Sequence, residues 1–375
     1  MKIPFNKPFL TGKETKYITK AVNYGQLSGN GAYTKICQKF FETQYGFKKT
    51  LLTTSCTDAL EMSAILLDIK PGDEVIVPSY TFVSTALAFT RQGAKVVFAD
   101  SGLDEPNIDV TKIENLITPK TKAIVVVHYA GVAVDMDKIM NLSKKYNIKV
   151  VEDAAQAIDS YYKGKPLGGI GHLATFSFHE TKNIISGEGG MLVINDKDYF
   201  DRAEIIWEKG TNRAEFFRGE VNKYGWVDTG SSFLPSDIIA AFLYAQLEHL
   251  NDIQKKRIHI WNSYHKAFQA IKSKVILPTI PAYATVNGHM YYIVTKSLKE
   301  RNELIQFLKE RNIHAVFHYL SLHQSDYYRH HFNERPNLPM SDFYTDRLLR
   351  LPLFYTLTEK ELNFIIKSIL NFYED

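Results

Sequence analysis

The chain has 375 residues, 45% of them hydrophobic and 13% aromatic, which is too long for one small core and enough to bury a substantial interior. Its 45 lysines and arginines against 41 aspartates and glutamates leave a formal charge of +4 without a long basic run, so nucleic acid is not an expected partner. The two cysteines, Cys37 and Cys56, are too few for a multi-bridge disulfide framework and belong to no zinc-binding pattern, so we expect no metal site.

The sequence shows neither a secretion signal nor a membrane segment. The N-terminus has no apolar signal core, and no run approaches the roughly 20 apolar residues that a membrane helix needs. We therefore expect a cytoplasmic protein with no membrane partner.

Predicted strands and helices alternate along the first part of the chain. A turn-rich segment precedes a helix at 36–45, and the predicted strands that follow are 50–54, 75–77, 95–98, 123–127 and 149–151. Near Asn251 the composition changes, and a polar helical run leads into a strand at 290–295 and a helix at 300–311. This order predicts an α/β protein with a large domain, 1–248, on a mostly parallel sheet, and a smaller C-terminal α+β domain, 249–375.

Hydroxyl side chains mark the passage from the first predicted strand into a helix. Residues 53–60 read Thr-Thr-Ser-Cys-Thr-Asp-Ala-Leu, so free backbone amides and the positive end of a helix dipole converge near Cys56 and Thr57. Such a place suits a phosphate group. Plain N-capping explains the same residues, because most helices that start with Ser or Thr bind nothing there.

An aromatic residue follows the second predicted strand. In the run 78–85, Phe82 lies near a strand's carboxyl end, where a ring can lie flat against a planar cofactor. A core aromatic is an equally good explanation of Phe82.

The most informative stretch lies in the middle of the chain. Asp153 ends a predicted strand, Gln156 follows it, and Lys182 stands between Ser177 and the glycine-rich run 186–190. Pyridoxal phosphate chemistry needs an acid that keeps the pyridine nitrogen protonated and an amine that holds the aldehyde as a Schiff base. We assign these roles to Asp153 and Lys182. Taken singly, Asp153 is also typical of a helix cap, and Lys182 of a solvated surface charge.

Several runs together resemble one enzyme family. The elements are Ser-Cys-Thr-Asp-Ala-Leu at 55–60, Tyr-Thr-Phe at 80–82, Glu-Asp-Ala-Ala-Gln at 152–156 and Ser-Phe-His-Glu-Thr-Lys at 177–182. In this order, over nearly the whole chain, they resemble the nucleotide-sugar aminotransferases of the aspartate aminotransferase fold. Further runs are most similar to those of the dTDP-4-amino-4,6-dideoxygalactose transaminases, namely Val-His-Tyr-Ala-Gly-Val-Ala at 127–133, His-Glu-Thr-Lys-Asn at 179–183, Glu-Lys-Gly-Thr-Asn-Arg at 208–213, Phe-Phe-Arg-Gly at 216–219 and Ala-Val-Phe-His-Tyr at 315–319.

The resemblance implies a PLP-dependent transferase of fold type I whose cofactor is pyridoxal 5'-phosphate. The residues that it implies for the cofactor are Lys182 as Schiff-base lysine and proton shuttle, Asp153 on the pyridine nitrogen, Gln156 near the phenolic oxygen, Phe82 stacked on the ring, and Thr57, Ser177 and the backbone amide of Cys56 at the phosphate.

The resemblance also implies the reaction. Glutamate gives its amino group to the cofactor, and dTDP-4-keto-6-deoxyglucose takes it up to form dTDP-4-amino-4,6-dideoxygalactose, a step of lipopolysaccharide biosynthesis. Two alternatives stay open: a PLP-dependent sugar dehydratase of the same fold, and a non-catalytic regulator that binds a nucleotide sugar. Lys182 argues against the dehydratase, which carries histidine at that position.

Substrate contacts and assembly follow less directly. Arg213 and Arg218 suit a substrate diphosphate, although a structural ion pair explains them equally well. The family's usual assembly is a homodimer with shared active sites, in which many members place an Asn and an Arg in a loop that reaches the neighbour's phosphate site. Here that stretch, 231–236, reads Ser-Ser-Phe-Leu-Pro-Ser, and Ser321 stands where the family usually has proline.

Overall fold

A large sheet with helices on both faces dominates the computed structural model, which describes residues 2–374. The helices are α1 (Glu14–Tyr24), α2 (Ala32–Tyr45), α3 (Cys56–Leu66), α4 (Ser84–Thr90), α5 (Met136–Tyr146), α6 (Phe200–Trp207), α7 (Arg213–Phe217), α8 (Asp237–Leu247), α9 (Leu250–Phe268), α10 (Leu298–Glu310), α11 (Asp326–His331), α12 (Pro339–Arg347) and α13 (Glu359–Glu374). The strands are β1 (Lys49–Thr53), β2 (Glu74–Pro78), β3 (Lys95–Ala99), β4 (Thr121–Val127), β5 (Lys149–Asp153), β6 (Tyr161–Tyr162), β7 (Lys165–Pro166), β8 (Leu173–Ser177), β9 (Gly190–Ile194), β10 (Tyr291–Val294), β11 (Val316–Phe317) and β12 (Leu348–Leu351).

The large sheet has the strand order β1-β9-β8-β5-β4-β2-β3. Its neighbours pair in parallel except at β9, which runs antiparallel to both β1 and β8. The mostly parallel sheet that the sequence predicts is thereby confirmed. Since parallel strands end at one edge of a sheet, the residues that close β1, β2, β5 and β8 share that edge, which is where open α/β sheets bind ligands.

Both faces of the large sheet are buried. In β2, Val75 and Val77 pack into the core on one face while Ile76 packs into the core on the other. Short, continuous runs of apolar, β-branched residues are what a strand covered on both faces requires. The predicted strand 75–77 is thus the middle of a longer buried strand.

Helix α2 depends on an acid from a distant helix. Its N-terminal flanking residue, Gly31, has no side chain to cap it, and Asp237 accepts hydrogen bonds from the backbone amides of Tyr33 at 3.1 Å and Thr34 at 2.9 Å. A Cβ on residue 31 would lie 2.5 Å from the Asp237 carboxyl carbon, so glycine is required for this approach. The contact ties α2 to α8 through a buried carboxylate.

A three-stranded antiparallel sheet, in the order β10-β12-β11, lies in the C-terminal part of the chain. Leu349 and Leu351 of β12 enter its hydrophobic core, which the N-terminal Ile3 joins through a bridge to Ile313. The division at residue 248 stays a prediction. In the part of the chain described, no helix is long and apolar enough to cross a membrane.

Candidate active site

A cavity of about 1030 Å³ opens at the carboxyl edge of the large sheet. The register of the strands explains its position, because Thr53 of β1 and Ser177 of β8 both pair with Gly190 at the start of β9. A Cβ on residue 190 would lie 2.4 Å from the backbone nitrogen of Cys56, so glycine lets β9 approach the start of α3. Of the residues proposed for the cofactor, Cys56, Thr57, Phe82, Asp153, Gln156, Ser177 and Lys182 all line this cavity.

Lys182 lies in the tight loop between β8 and β9. The loop is closed by backbone hydrogen bonds from Phe178 to Gly189 and from Ser186 to Phe178, and Lys182 itself donates to the carbonyl of His179 at 2.9 Å. Burial lowers the pKa of the Lys182 amine, while nearby Asp153 acts in the opposite direction. A neutral amine is the form that attacks a carbonyl carbon, so this environment favours the reactive state.

Asp153 closes β5 and points into the same cavity. Its Oδ2 accepts a hydrogen bond from the Thr85 hydroxyl at 2.7 Å, and its Oδ1 accepts one from the Ala155 amide at 3.2 Å. Burial raises the pKa of Asp153, and the bond from Thr85 opposes that rise. A carboxylate has about four acceptor positions, so Asp153 keeps capacity for a protonated ring nitrogen.

The start of α3 supplies hydroxyls and backbone amides. Ser55 caps the helix by accepting a hydrogen bond from the Asp58 amide at 3.0 Å, so the capping interpretation holds for this residue. Thr57 faces the cavity instead, where its hydroxyl lies 2.7 Å from that of Ser84. With Ser177 on the same wall, the helix end presents several donors to an anion.

Phe82 and Gln156 both lie beside Tyr319. Phe82 is 57% exposed, so the alternative that it is a core aromatic is wrong, and its ring centroid lies 6.2 Å from that of Tyr319. The Gln156 amide donates to the Tyr319 hydroxyl at 3.2 Å and its carbonyl accepts from the Ala130 amide at 2.6 Å. Both residues therefore border one compartment of the cavity.

Arg213 and Arg218 lie outside the cavity of their own chain. Arg218 donates to Glu204 at 2.6 Å and to Glu220 at 2.8 Å. Arg213 lies 3.9 Å from Glu208, with its guanidinium over the Phe217 ring. Within one chain they form ion pairs, as the alternative interpretation proposed, and a contact with a substrate diphosphate stays a prediction.

The two departures from the family pattern have local explanations. In the stretch 231–236, Phe233 is buried and its carbonyl accepts from the Thr54 amide at 3.0 Å, so the segment packs on its own chain. The Ser321 amide, which a proline would lack, donates to the Thr345 hydroxyl at 3.0 Å, and the hydroxyls of these two residues lie 2.7 Å apart.

Sequence reasoning missed two polar residues of this site. Thr85 holds Asp153, and only its position seven residues after a strand hinted at the contact. Arg350 of β12 lines the cavity from the small sheet. The sequence did offer a signal for Arg350, because it is the one charged residue in the run Leu-Leu-Arg-Leu-Pro-Leu at 348–353. An ordinary exposed arginine is not expected inside such an apolar run.

The side chains of this cavity fit pyridoxal phosphate. Three features line the same cavity: the buried acid Asp153, which has free acceptor positions, the amine of Lys182, whose pKa is lowered, and the hydroxyl-rich start of α3. An exposed aromatic, Phe82, borders the space where a planar ring has to lie. Each feature matches one chemical part of that cofactor.

Comparisons with known proteins agree over the whole chain. The model of the DegT/DnrJ/EryC1/StrS aminotransferase family matches residues 8–370. The spore coat polysaccharide biosynthesis protein SpsC of Bacillus subtilis is 33% identical over an alignment of 375 positions, which covers 98% of this chain and 96% of that protein. GDP-perosamine synthase of Escherichia coli O157:H7 is 33% identical over an alignment of 379 positions, which covers 100% of this chain and 99% of that enzyme.

A solved structure shows the same fold. Spr1654 from Streptococcus pneumoniae, in its PLP-form, superposes with a TM-score of 0.91 at 28% identity, covering 100% of this chain and 99% of the other. The predicted fold type is confirmed by this superposition.

Proposed function

This chain belongs to the DegT/DnrJ/EryC1/StrS aminotransferase family, and we propose that it moves the amino group of glutamate to C4 of dTDP-4-keto-6-deoxyglucose, forming dTDP-4-amino-4,6-dideoxygalactose. The observation that carries the chemistry is the meeting of Asp153 and Lys182 in one cavity beside the start of α3. The reaction balances without another reagent, since glutamate becomes 2-oxoglutarate as the ketosugar becomes an aminosugar.

The coarser predictions are confirmed. The chain is a sugar aminotransferase that uses pyridoxal phosphate, as its family and the PLP-form and PMP-form of Spr1654 indicate. A regulator without catalysis and a dehydratase are therefore disfavoured, and Lys182 is the residue that argues against the dehydratase.

The residues of this chain supply position and proton transfer. When bound, pyridoxal phosphate provides a conjugated ring that delocalises the electron pair left on carbon after a proton is removed. Asp153 keeps a negative charge at the ring nitrogen, held in place by Thr85. Lys182 accepts the proton from the donor's α-carbon on Nζ and returns it to a neighbouring carbon, which requires the neutral amine that burial favours.

Two of the runs that resemble the dTDP-4-amino-4,6-dideoxygalactose transaminases meet at the cavity. Val127 of the first run and His318 and Tyr319 of the second line its wall. The runs are joined by a contact of 3.1 Å between the Tyr129 hydroxyl and His318 Nδ1. This placement supports a role of both runs in choosing the sugar. GDP-perosamine synthase, by its name, forms a GDP-linked product. The choice of dTDP as the nucleotide of this chain's substrate therefore rests on the resemblance of these runs.

A substrate panel tests the proposal. The holoenzyme is incubated with glutamate and with dTDP-, UDP- and GDP-linked 3-keto and 4-keto sugars, and the products are identified by mass spectrometry and NMR. We expect turnover of dTDP-4-keto-6-deoxyglucose and an axial amine at C4. A preference for a GDP-linked sugar, for amination at C3 or for an equatorial amine would each contradict the substrate assignment.

A Lys182→Ala variant tests the catalytic assignment. It should retain cofactor non-covalently, lose the covalent attachment that borohydride traps in the wild type, and show no measurable turnover. Peptide mapping of the trapped wild type identifies the labelled residue. Appreciable turnover in the variant, or a label on another lysine, would remove Lys182 from its role.

We infer further that two copies of the chain form a homodimer. We also propose that the enzyme works in the cytoplasm and that its product is used in lipopolysaccharide biosynthesis. What supports assembly is an exposed apolar loop, in which Phe217 is 69% and Trp226 85% exposed. Exposed apolar patches of this kind often mark the surfaces through which proteins bind one another. Light scattering after size exclusion measures the mass, and a monomer that retains full activity would contradict the shared site.

A further inference from the structure

His289 stands on the cavity wall with one of its two ring nitrogens unused by the protein. The residue is 8% exposed and lies two positions before β10. Its Nδ1 is 2.9 Å from Asn183 Oδ1, whereas Nε2 has no hydrogen-bond partner within residues 2–374. Nε2 is also not sealed inside the core. The cofactor chemistry gives His289 no role, so this nitrogen is open to a ligand.

Asn183, the residue after Lys182, has its side-chain amide fixed by a backbone carbonyl. Its Nδ2 lies 3.0 Å from the Asn287 carbonyl oxygen and 2.7 Å from Gln254 Oε1. A backbone carbonyl only accepts hydrogen bonds, so the amide nitrogen of Asn183 has to face Asn287. The amide oxygen of Asn183 then has to face His289.

This orientation decides where the imidazole carries its proton. Because Asn183 Oδ1 only accepts, His289 Nδ1 has to carry a hydrogen and donate it. Burial lowers the pKa of His289 well below its ordinary value, and the positive charges of Lys182 and Arg257 lower it further. In a neutral ring with a hydrogen on Nδ1, Nε2 holds a lone pair. His289 therefore offers the cavity a hydrogen-bond acceptor and no donor.

Buried hydrogen bonds hold the ring in place. Asn183 and Asn287, which bond to it, are 5% and 0% exposed. Asn287 Oδ1 accepts from the His289 amide at 2.9 Å, and Asn287 Nδ2 donates to the Gln156 carbonyl at 2.8 Å. The acceptor on His289 is thus fixed relative to Gln156 and to the backbone beside Lys182.

The two substrates differ in what they offer to an acceptor. Apart from its reacting amine, glutamate presents carboxylates, and these accept hydrogen bonds, as the diphosphate of a nucleotide does. A sugar presents hydroxyls, which donate. In a 4-keto-6-deoxy sugar, one ring neighbour of C4 is C3, which carries a hydroxyl, and the other is C5, which carries a methyl group. The C3 hydroxyl is therefore the one donor beside the reacting carbon.

We propose that His289 Nε2 accepts a hydrogen bond from the C3 hydroxyl of the ketosugar. The inference rests on the proposed function and deepens it, because it names the group that recognises the sugar beside its reacting carbon. Lys182 acts at C4, and the next residue in the chain holds His289, so the acceptor stands near the reacting end of the sugar. A site built to bind a hydroxyl rejects the analogue that lacks it, since the acceptor is then left unpaired.

Two substrates and two variants separate recognition from structural support. For wild-type holoenzyme, kcat/KM should be about 10- to 100-fold lower with the 3-deoxy analogue of dTDP-4-keto-6-deoxyglucose than with the sugar itself, the scale of one buried group left unpaired. In His289→Asn, the amide nitrogen replaces Nδ1 toward Asn183 and nothing replaces Nε2, so the two substrates should differ by no more than about threefold. His289→Gln places an amide oxygen near the former Nε2 and should recover part of the discrimination. A change in the intrinsic reactivity of the ketone is common to all three proteins.

His265→Asn is the matched control. His265 on α9 stacks on Trp261 at 4.8 Å and lies outside the cavity lining, so this variant should discriminate as the wild type does. A rate loss in His289→Asn that is equal for both substrates would show structural support alone and would overturn the proposal. Equal use of both substrates by the wild type would overturn it without any variant.

Failure of the proposed function looks different from failure of this inference. In the first case, wild-type holoenzyme forms no aminosugar from dTDP-4-keto-6-deoxyglucose and glutamate. In the second case, that conversion proceeds, and only the comparison between the sugar and its 3-deoxy analogue departs from expectation.

Discussion

Thr85→Val is the sharpest test of how the chain controls the acid of its active site. Thr85 is fully buried, and its hydroxyl donates to Asp153 Oδ2 at 2.7 Å. A hydrogen bond to a charged group contributes about 1.5–3 kcal/mol. At 1.36 kcal/mol per pKa unit, its loss corresponds to about one to two units. Valine keeps the size of the side chain and removes the donor, so it isolates this contribution.

The sign of the effect follows from the charge that is stabilised. The bond from Thr85 favours the carboxylate over the neutral acid, and burial already raises the pKa of Asp153. Removing the bond raises that pKa further, so a larger fraction of Asp153 is protonated at any given acidic pH. Because the neutral acid does not hold a protonated ring nitrogen, the acid limb of the activity profile should move up by about one to two pH units.

The assay is the glutamate half-reaction, followed by cofactor absorbance across the pH range in stopped flow. Thr90→Val is the matched control, since Thr90 ends the same helix and its hydroxyl donates to the Leu87 carbonyl at 2.9 Å, away from the cavity lining. Thermal unfolding establishes that both variants are folded. A folded Thr85→Val protein whose acid limb coincides with that of the wild type would refute the reasoning.

Three further substitutions test the acids of the fold. Asp153→Asn keeps the shape and loses the charge, so kcat should fall by roughly 100- to 1,000-fold, the range for removing one preorganised electrostatic group from an active site; near-normal steady-state kinetics would contradict this. Burial alone would raise the pKa of Glu152, but hydrogen bonds from His128 and from backbone amides outweigh burial and lower this pKa below its ordinary value of 4.5. The ionised Glu152 therefore stabilises the fold above pH 4.5, and this stabilisation is lost as the pH falls through the pKa of the folded protein. Glu152→Gln should lower the free energy of unfolding by about 2–4 kcal/mol at pH 7. In urea titrations its stability should fall less than that of the wild type between about pH 5 and pH 3. Asp237→Ala removes the acceptor for the Thr34 amide at the start of α2 and should cost about 1–2 kcal/mol in the same titration; an unchanged midpoint would mean that the cap contributes nothing.

The placement of Asp153 and Lys182 in one cavity was predictable from the sequence because its signals are local. Asp153 directly follows a short, β-branched run that can hardly be anything but a buried strand, and Lys182 is flanked by a polar turn and glycines. The predicted strand 149–151 is observed as Lys149–Asp153, which puts the acid on the last residue of the strand. Since parallel strands end at one edge, strand identification alone brings such residues together.

The supporting residues were not predictable because they depend on pairing between distant segments. Thr85 meets Asp153 across 68 positions of sequence. That contact exists because β2 and β5 lie on either side of β4, an order that no local pattern encodes. Arg213 and Arg218 illustrate the reverse case. Their residue type suits a diphosphate, yet Glu204 and Glu220 take up the charge of Arg218 within the chain.

The two sheets divide the work of the cavity for a geometric reason. The strands of the large sheet are mostly apolar on both faces, and the polar side chains that β5 and β8 offer to the cavity, Asp153 and Ser177, stand at their ends. The small sheet has one face in its core and the other toward the cavity, so a middle residue of β12 can carry a charge there while Leu349 and Leu351 keep the core intact. Moving the charge one residue along β12 would bury it in that core, so a double variant with Arg350→Leu and Leu351→Arg should unfold more readily than Arg350→Leu alone.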